Sequence, residues 1–151
     1  MASNVSPTIL LIPGAFTTPA CYDLVLPYLK EAGYPVAISA LPSSNSTSQD
    51  ECTAASDGQY LLDQCLLPLI ADGQDVMVFA HSFGATCLSG AGCKLSKAER
   101  SANGLPGGVV GLLYMSFAMA ADGQSQIEYV GGAWPPFIRL DHVSPNCKIT
   151  S

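Results

Sequence analysis

Short continuous runs of apolar residues recur along this chain, and each is separated from the next by a longer stretch of mixed polarity. The runs predict four strands, at Thr8–Ile12, 35–41, 75–80 and 109–117. Apolar runs without polar alternation are typical of strands that are covered on both faces, as in parallel sheets. The pattern therefore predicts an α/β fold in which one parallel sheet is flanked by helices.

Apolar residues between the predicted strands show helical spacing. The first predicted helix covers residues 20–32, where Tyr22, Leu26 and Leu29 recur at this spacing and Gly33 is placed to end the helix. A second predicted helix covers residues 50–71, and Pro68 is expected to kink or shorten it. Helices thus alternate with strands, which is the arrangement that parallel strands require.

Two other segments are predicted to be exposed connections. Residues 42–49 are rich in Ser, Asn and Thr, and residues 94–108 hold half of the six lysines and arginines together with several glycines. We assign no binding role to residues 94–108.

The third predicted strand stops abruptly at Ala80-His81-Ser82-Phe83-Gly84, and small or apolar residues then begin a helix that is predicted to run to about Cys93. Strand, sharp turn and helix around a serine are the context of a nucleophile elbow, in which the serine has a strained backbone. A large side chain at Ala80 or Gly84 would collide with neighbouring backbone. The usual elbow pattern is G-x-S-x-G, with glycine in place of Ala80. The alternative interpretation is a buried strand that ends in an ordinary turn.

Composition excludes several classes of protein. The chain has 151 residues, of which 48% are hydrophobic and 12% charged, so it suits one globular domain and not a disordered protein. The net charge of −6 and the absence of a basic cluster argue against nucleic-acid binding. No apolar run is long enough to target or span a membrane.

The six cysteines contain no CxxC pair, so no metal site is expected. Without a signal sequence, we expect most of them to be reduced, small apolar residues of a cytoplasmic protein. The chain also has neither a GxGxxG nor a GKS/GKT motif after the elbow, and no cofactor is expected.

Four segments together, TILLIPGAF, GYPVAISALPSSN, VMVFAHSFGA and GVVGLLYMSFAM, resemble the α/β-hydrolase fold, and most of all its branch of small serine esterases and hydroxynitrile-lyase-like proteins. The resemblance implies that the strands lie in the order second, first, third, fourth. It also implies that the last strands of the family are missing. We therefore expect a single partial domain, 1–151, with a core at 8–123 and the start of a lid, or a loose tail, at 124–151.

The resemblance implies catalytic roles for residues in two turns. Ser82 matches the nucleophile, whose Oγ attacks a carbonyl carbon and forms an acyl-enzyme. The backbone N–H of Phe83 matches one donor of the oxyanion hole, and the N–H of Ala15 or Phe16 would be the other. Where many family members have His-Gly in the first turn, this chain has Pro13-Gly14.

The family places an acid and then a histidine after the nucleophile. His142 is the candidate base and Asp122 the candidate acid. The competing interpretations are a surface histidine in a loose tail and a solvated turn residue. His81 precedes Ser82 in the elbow, and its side chain is expected to point away from the serine Oγ.

Two functions of different class fit this sequence. One is a serine hydrolase that acts on a small apolar ester, lactone or related carbonyl substrate, with Phe16, Phe83 and Trp134 as apolar pocket residues. The other is a non-catalytic, hydrolase-like module that binds a small apolar ligand or another chain. In both cases the uncharged strand 109–117 is expected to form a sheet edge through which the chain self-associates.

Overall fold

The computed structural model describes residues 6–46, 52–89, 95–115, 124–133 and 136, and these contain a four-stranded parallel sheet. The strands are β1 (Thr8–Ile12), β2 (Val36–Ile38), β3 (Asp75–His81) and β4 (Gly108–Met115). They lie in the order β2-β1-β3-β4, and each neighbouring pair is parallel. The predicted α/β class and the predicted strand order are therefore confirmed.

The two central strands, β1 and β3, carry the core. Every residue of β1 is buried, and in β3 the buried residues Val76, Val78 and Ala80 alternate with half-buried ones. Leu10 is aligned with Val78 and Ile12 with Ala80, so these side chains share one face of the sheet. Apolar helix residues complete the core on this face: Leu61, Leu66, Ile70, Ala85, Cys87 and Leu88.

The helix predicted over residues 20–32 is divided in two, and this prediction was wrong. A 3₁₀ turn covers Pro19–Tyr22, and helix α1 covers Leu26–Glu31. Pro27 is the second residue of α1, where a missing N–H costs nothing. Deeper inside a longer helix, its ring would clash with the carbonyl of the preceding turn. Tyr22 therefore lies in a turn of its own, where it is buried.

The second predicted helix begins at Ala54 and is continuous from there, but its geometry changes along its length. Helix α2 (Ala54–Tyr60), a π-helical segment (Leu61–Leu66) and helix α3 (Leu67–Ala71) follow one another directly. The first N–H of α3 bonds to the carbonyl of Leu62, five residues back. This wider turn precedes Pro68 and gives its ring room, so the predicted distortion is a widening of the helix rather than a break.

The segment predicted as an exposed loop at 42–49 is partly structured. Strand β2 is shorter than predicted, and a 3₁₀ turn covers Pro42–Asn45. Ser43 donates both its N–H and its hydroxyl to the buried carboxylate of Asp57, at 3.1 and 2.5 Å. This carboxylate ties the turn to α2, a contact that the local sequence does not reveal.

The connection predicted at 94–108 comes after helix α4 (Phe83–Ser89) and contains a further helix, α5 (Lys97–Ala102), which we did not predict. The hydroxyl of Ser96 accepts the N–H three residues on, at 3.2 Å, which is the usual capping of a helix start. Lys97 forms an ion pair with Asp75 of β3 at 2.7 Å. The positive charge of this segment is thus used in part to hold α5 near the sheet.

A short helix, α6 (Gln126–Tyr129), is the last element of the described chain. The last predicted strand, 109–117, is observed as β4, and residues 116 and 117 lie outside the described ranges. None of the helices in these ranges combines the length and the apolar character that crossing a lipid bilayer requires.

Candidate active site

Ser82 occupies a sharp turn between β3 and helix α4 (Phe83–Ser89), so the predicted strand–turn–helix arrangement is confirmed. Its φ angle is 51°, in the left-handed region that residues with a side chain rarely adopt. The N–H of Ser82 donates to the carbonyl of Met115 at 2.8 Å, and its own carbonyl accepts the N–H of Ala85 at 3.0 Å. The turn is therefore bonded to β4 and to α4, and these bonds hold the strained backbone in place.

Two glycines allow the turn after β1 to pack directly on the elbow. A Cβ added at Gly84 would lie 2.5 Å from the carbonyl oxygen of Pro13 and 2.7 Å from Cγ2 of Ile12. A Cβ added at Gly14 would lie 2.9 Å from Cβ of Ser82. Real side chains do not approach so closely, so the sequence needs glycine at both positions to bring the two turns together.

The turn after β1 also contains a strained residue. Phe16 has a φ angle of 60°, and 85% of its surface is exposed. Thr17 closes this turn by donating its hydroxyl to the carbonyl of Gly14 at 2.7 Å. The N–H of Gly14 is already bonded to the Tyr22 hydroxyl at 3.2 Å, so Ala15 and Phe16 remain the candidate oxyanion donors.

Sequence reasoning missed a contact between the side chains of Tyr22 and His81. The Tyr22 oxygen lies 2.7 Å from Nδ1 of His81, and the two rings meet edge to face with their centroids 5.9 Å apart. Nδ1 of His81 is thus engaged by Tyr22. Because 59 residues separate the two in sequence, no local pattern could have paired them.

The two candidates for the remaining triad positions, Asp122 and His142, lie outside the described residues, as does Trp134. Their roles therefore stay predictions. Phe83, whose N–H is the other candidate oxyanion donor, is half-buried and packs against the core.

Helix α6 contacts the elbow helix close to the site. The Gln126 side chain donates to the hydroxyl of Thr86, one helical turn after Ser82, at 3.2 Å. Ser125 and Glu128 cap α6 reciprocally, and the hydrogen bonds from Ser125 lower the pKa of the Glu128 carboxyl. The first part of the segment predicted as a lid or a tail, 124–133, thus lies next to α4.

The buried Cys87 in α4 is an apolar core residue. Burial raises the pKa of its thiol, and the negative charge of Asp57 raises it further. A thiol with a raised pKa stays protonated and is a poor nucleophile. Within the described ranges, no group of three or more His, Cys, Asp or Glu residues is arranged to hold a metal ion.

Fold and site together define an α/β protein with a serine in a strained turn after a central strand. The chain is similar to a curated protein named "Probable hydrolase R7" from Phoma sp. (strain ATCC 20986 / MF5453), with 25% identity over 126 residues. These residues make up 83% of this chain and 48% of that protein, so the chain spans about half the length of the curated relative it matches. No protein-family model matches the chain. No solved structure matches it either.

Proposed function

We propose that this chain carries the nucleophile side of a serine-hydrolase site of the α/β-hydrolase kind. The observation that carries the proposal is the backbone of Ser82, whose φ angle of 51° places it in a strained turn between a central strand and a helix. Strain of this kind persists where the surrounding structure enforces it, and it is concentrated at functional sites. The similarity to a protein that is itself named a probable hydrolase supports the same class.

In the proposed reaction, Ser82 Oγ attacks the carbonyl carbon of an ester while a base accepts its proton. The carbonyl oxygen becomes an oxyanion, and the N–H groups of Phe83 and of Ala15 or Phe16 donate hydrogen bonds to it. The C–O bond to the alcohol then breaks, the alcohol leaves with the proton, and an acyl-enzyme remains. Water then attacks the acyl carbon while the base accepts a proton from it. The bond from the acyl carbon to Ser82 Oγ breaks, Oγ takes the proton back, and the acid is released.

The base and acid that we propose for this reaction are His142 and Asp122. A serine without its base loses roughly a million-fold in turnover in a well-studied protease. Mutation of His142 is therefore the sharpest test of whether the chain by itself supplies a complete triad.

We propose a small apolar ester, lactone or related carbonyl compound as the substrate. The support is Phe16, which is 85% exposed in the turn that packs on Ser82. An exposed aromatic ring two residues after Gly14, the residue that packs on Ser82, offers an apolar contact to an acyl group. A reducing compartment such as the cytoplasm suits the chain, because the buried Cys87 serves as a core residue without a disulfide.

A fluorophosphonate probe tests the proposal, because it reacts only with an activated serine. We expect labelling of the wild type, with the adduct located on Ser82 by peptide mass spectrometry, and no labelling of Ser82→Ala. Ser101→Ala, at an exposed position of α5, is the matched control and should be labelled like the wild type. Turnover of p-nitrophenyl acetate in His142→Ala and Asp122→Ala then tests the two remaining roles.

A folded wild type that takes no label would reject the proposal. The chain would then be better described as a non-catalytic module that binds a small apolar ligand or another chain. Labelling that survives in Ser82→Ala would remove the elbow from the reaction.

A further inference from the structure

A chain of two hydrogen bonds connects the turn after β1 to the end of β3. The N–H of Gly14 donates to the hydroxyl oxygen of Tyr22 at 3.2 Å, and the same oxygen lies 2.7 Å from Nδ1 of His81. Gly14 packs against Ser82, and His81 directly precedes Ser82 in sequence. Both ends of the hydrogen-bonded chain therefore reach the serine.

The N–H of Gly14 fixes the direction of the first bond, whereas the second bond can run either way, depending on the tautomer of His81. A tyrosine hydroxyl has one proton and can accept as well as donate. Because it already accepts the N–H of Gly14, its own proton is available for the short contact with His81. If Tyr22 donates this proton, Nδ1 of His81 is the acceptor and the ring proton lies on Nε2.

We propose that Tyr22 and His81 are positioning residues that hold the two turns of the site in register through this relay. Tyr22 is buried in its own short turn, which gives its hydroxyl a fixed place. The relay fixes the N–H of Gly14, and with it the backbone of Ala15 and Phe16, relative to Ser82. This catalytic consequence rests on the proposed function, whereas the relay itself does not.

The relay also explains why the residue before the serine is a histidine on a half-buried strand end. A leucine there would fill similar space but would leave the hydroxyl proton of the buried Tyr22 without an acceptor. An asparagine keeps a side-chain oxygen near the place of Nδ1 and can accept the same proton. His81→Leu and His81→Asn therefore separate loss of volume from loss of the acceptor.

The first measurement is the tautomer of His81 in the full chain, observed by long-range proton–nitrogen NMR correlation of its imidazole. The protein has two histidines, and the spectrum of His81→Asn assigns the signals. We expect an unprotonated, hydrogen-bonded Nδ1 and a protonated Nε2 in the wild type. Tyr22→Phe should shift the Nδ1 signal and speed hydrogen exchange of the Gly14 amide.

The second measurement is the rate constant of fluorophosphonate labelling at Ser82. Tyr22→Phe and His81→Leu should each lower it by about tenfold to a hundredfold, which is the effect of a small misplacement of catalytic groups. His81→Asn should recover most of the rate that His81→Leu loses. Tyr28→Phe makes the same chemical change on an exposed tyrosine of α1 and should label like the wild type.

The outcomes distinguish the relay from the proposed function. A protonated Nδ1 in the wild type, or an unchanged Nδ1 signal in Tyr22→Phe, overturns the relay, and this test needs no activity. A shifted Nδ1 signal with unchanged labelling rejects the positioning role. A wild type that takes no label rejects the proposed function and the positioning role together, while NMR still decides the relay. Circular dichroism identifies any variant that has not folded.

Discussion

Gly14 lies so close to Ser82 that a Cβ on the glycine would be 2.9 Å from the serine Cβ. The two residues are 68 positions apart in sequence, but each follows the end of one of two neighbouring strands. The register of β1 and β3 aligns Ile12 with Ala80, which brings these two strand ends together. In a parallel sheet, the carboxyl ends of adjacent strands meet at one edge, which is where ligands bind in open α/β folds. The contact between Gly14 and Ser82 is thus a direct result of the strand order.

The first prediction tests this packing through the other glycine of the site. Gly84→Ala places a Cβ 2.5 Å from the carbonyl oxygen of Pro13, a backbone atom that cannot move aside cheaply. We expect a loss of about 1–3 kcal/mol in the free energy of unfolding, as overpacking usually costs. Chemical denaturation monitored by circular dichroism measures this loss.

Gly111→Ala is the matched control for this prediction. A Cβ at Gly111 meets Cε of Met77 at 3.4 Å, an ordinary contact with the far end of a flexible side chain. The free energy of unfolding of this variant should lie within about 0.5 kcal/mol of the wild-type value. Equal stabilities of Gly84→Ala and Gly111→Ala would show that the two turns are not packed as described.

The second prediction concerns the strain at Ser82. A left-handed backbone costs a residue with a side chain roughly 1–2 kcal/mol, and glycine adopts it freely. Glycine also loses more chain entropy on folding, by roughly 0.4–1 kcal/mol, which offsets part of the gain. We therefore expect Ser82→Gly to be more stable than Ser82→Ala by up to about 1.5 kcal/mol.

Both variants of Ser82 should lose fluorophosphonate labelling, so the comparison separates backbone strain from chemistry. Thermal unfolding of the two proteins, followed side by side, measures the difference in stability. A less stable Ser82→Gly would indicate that the left-handed turn carries no strain, and the main support for a functional elbow would be lost.

The sequence predicted the sheet well for a physical reason. The apolar runs at the centre of the fold are continuous, as in Thr8–Ile12, because β1 is buried on both faces. Ser82 could also be found, because a serine between a buried strand and a run of small residues is typical of a nucleophile elbow. The strand order came from the resemblance of four segments taken together, and no single strand contains that information.

Of the parts that the sequence did not predict, one depends on a contact between distant residues and two depend on local signals that were overlooked. Tyr22 was assigned to the face of a continuous helix, although Pro27 limits that helix to Leu26–Glu31. The bond from Ser43 to Asp57 orders a segment whose composition indicates only a loop. The capping signal at Ser96 was present in the sequence, and α5 could have been predicted from it.

The third prediction compares two cysteines with opposite environments. Burial raises the pKa of the Cys87 thiol, so at pH 8 it stays protonated, whereas Cys21 is exposed. The thiolate is the reactive form. We expect iodoacetamide to modify Cys21 readily in the folded protein and to leave Cys87 unmodified.

Peptide mapping by mass spectrometry locates the modified cysteines. In guanidinium chloride both should react, because unfolding removes the burial that raises the pKa of Cys87. Modification of Cys87 in the folded protein at a rate close to that of Cys21 would mean that α4 opens readily, and the core next to the elbow would need a different description.

The last prediction concerns β4, which is at one edge of the described sheet and pairs only with β3 there. Its residues Val110, Leu112, Leu113 and Met115 are each about half exposed. The strand contains no charge and no proline, the two features that usually protect a sheet edge. We expect the chain to self-associate at micromolar concentration through this strand, despite a net charge of −6.

Leu112→Lys should shift the protein toward monomer, because a lysine on an edge strand opposes pairing with a second strand. Leu105→Lys is the matched control, since Leu105 is 48% exposed against 52% for Leu112 but lies outside the strands. Both changes alter the net charge equally, so only the position differs. Size-exclusion chromatography with light scattering measures the mass of each protein across a concentration series. A wild type that remains monomeric throughout would indicate that another part of the chain covers β4, and equal behaviour of the two lysine variants would exclude β4 as the contact.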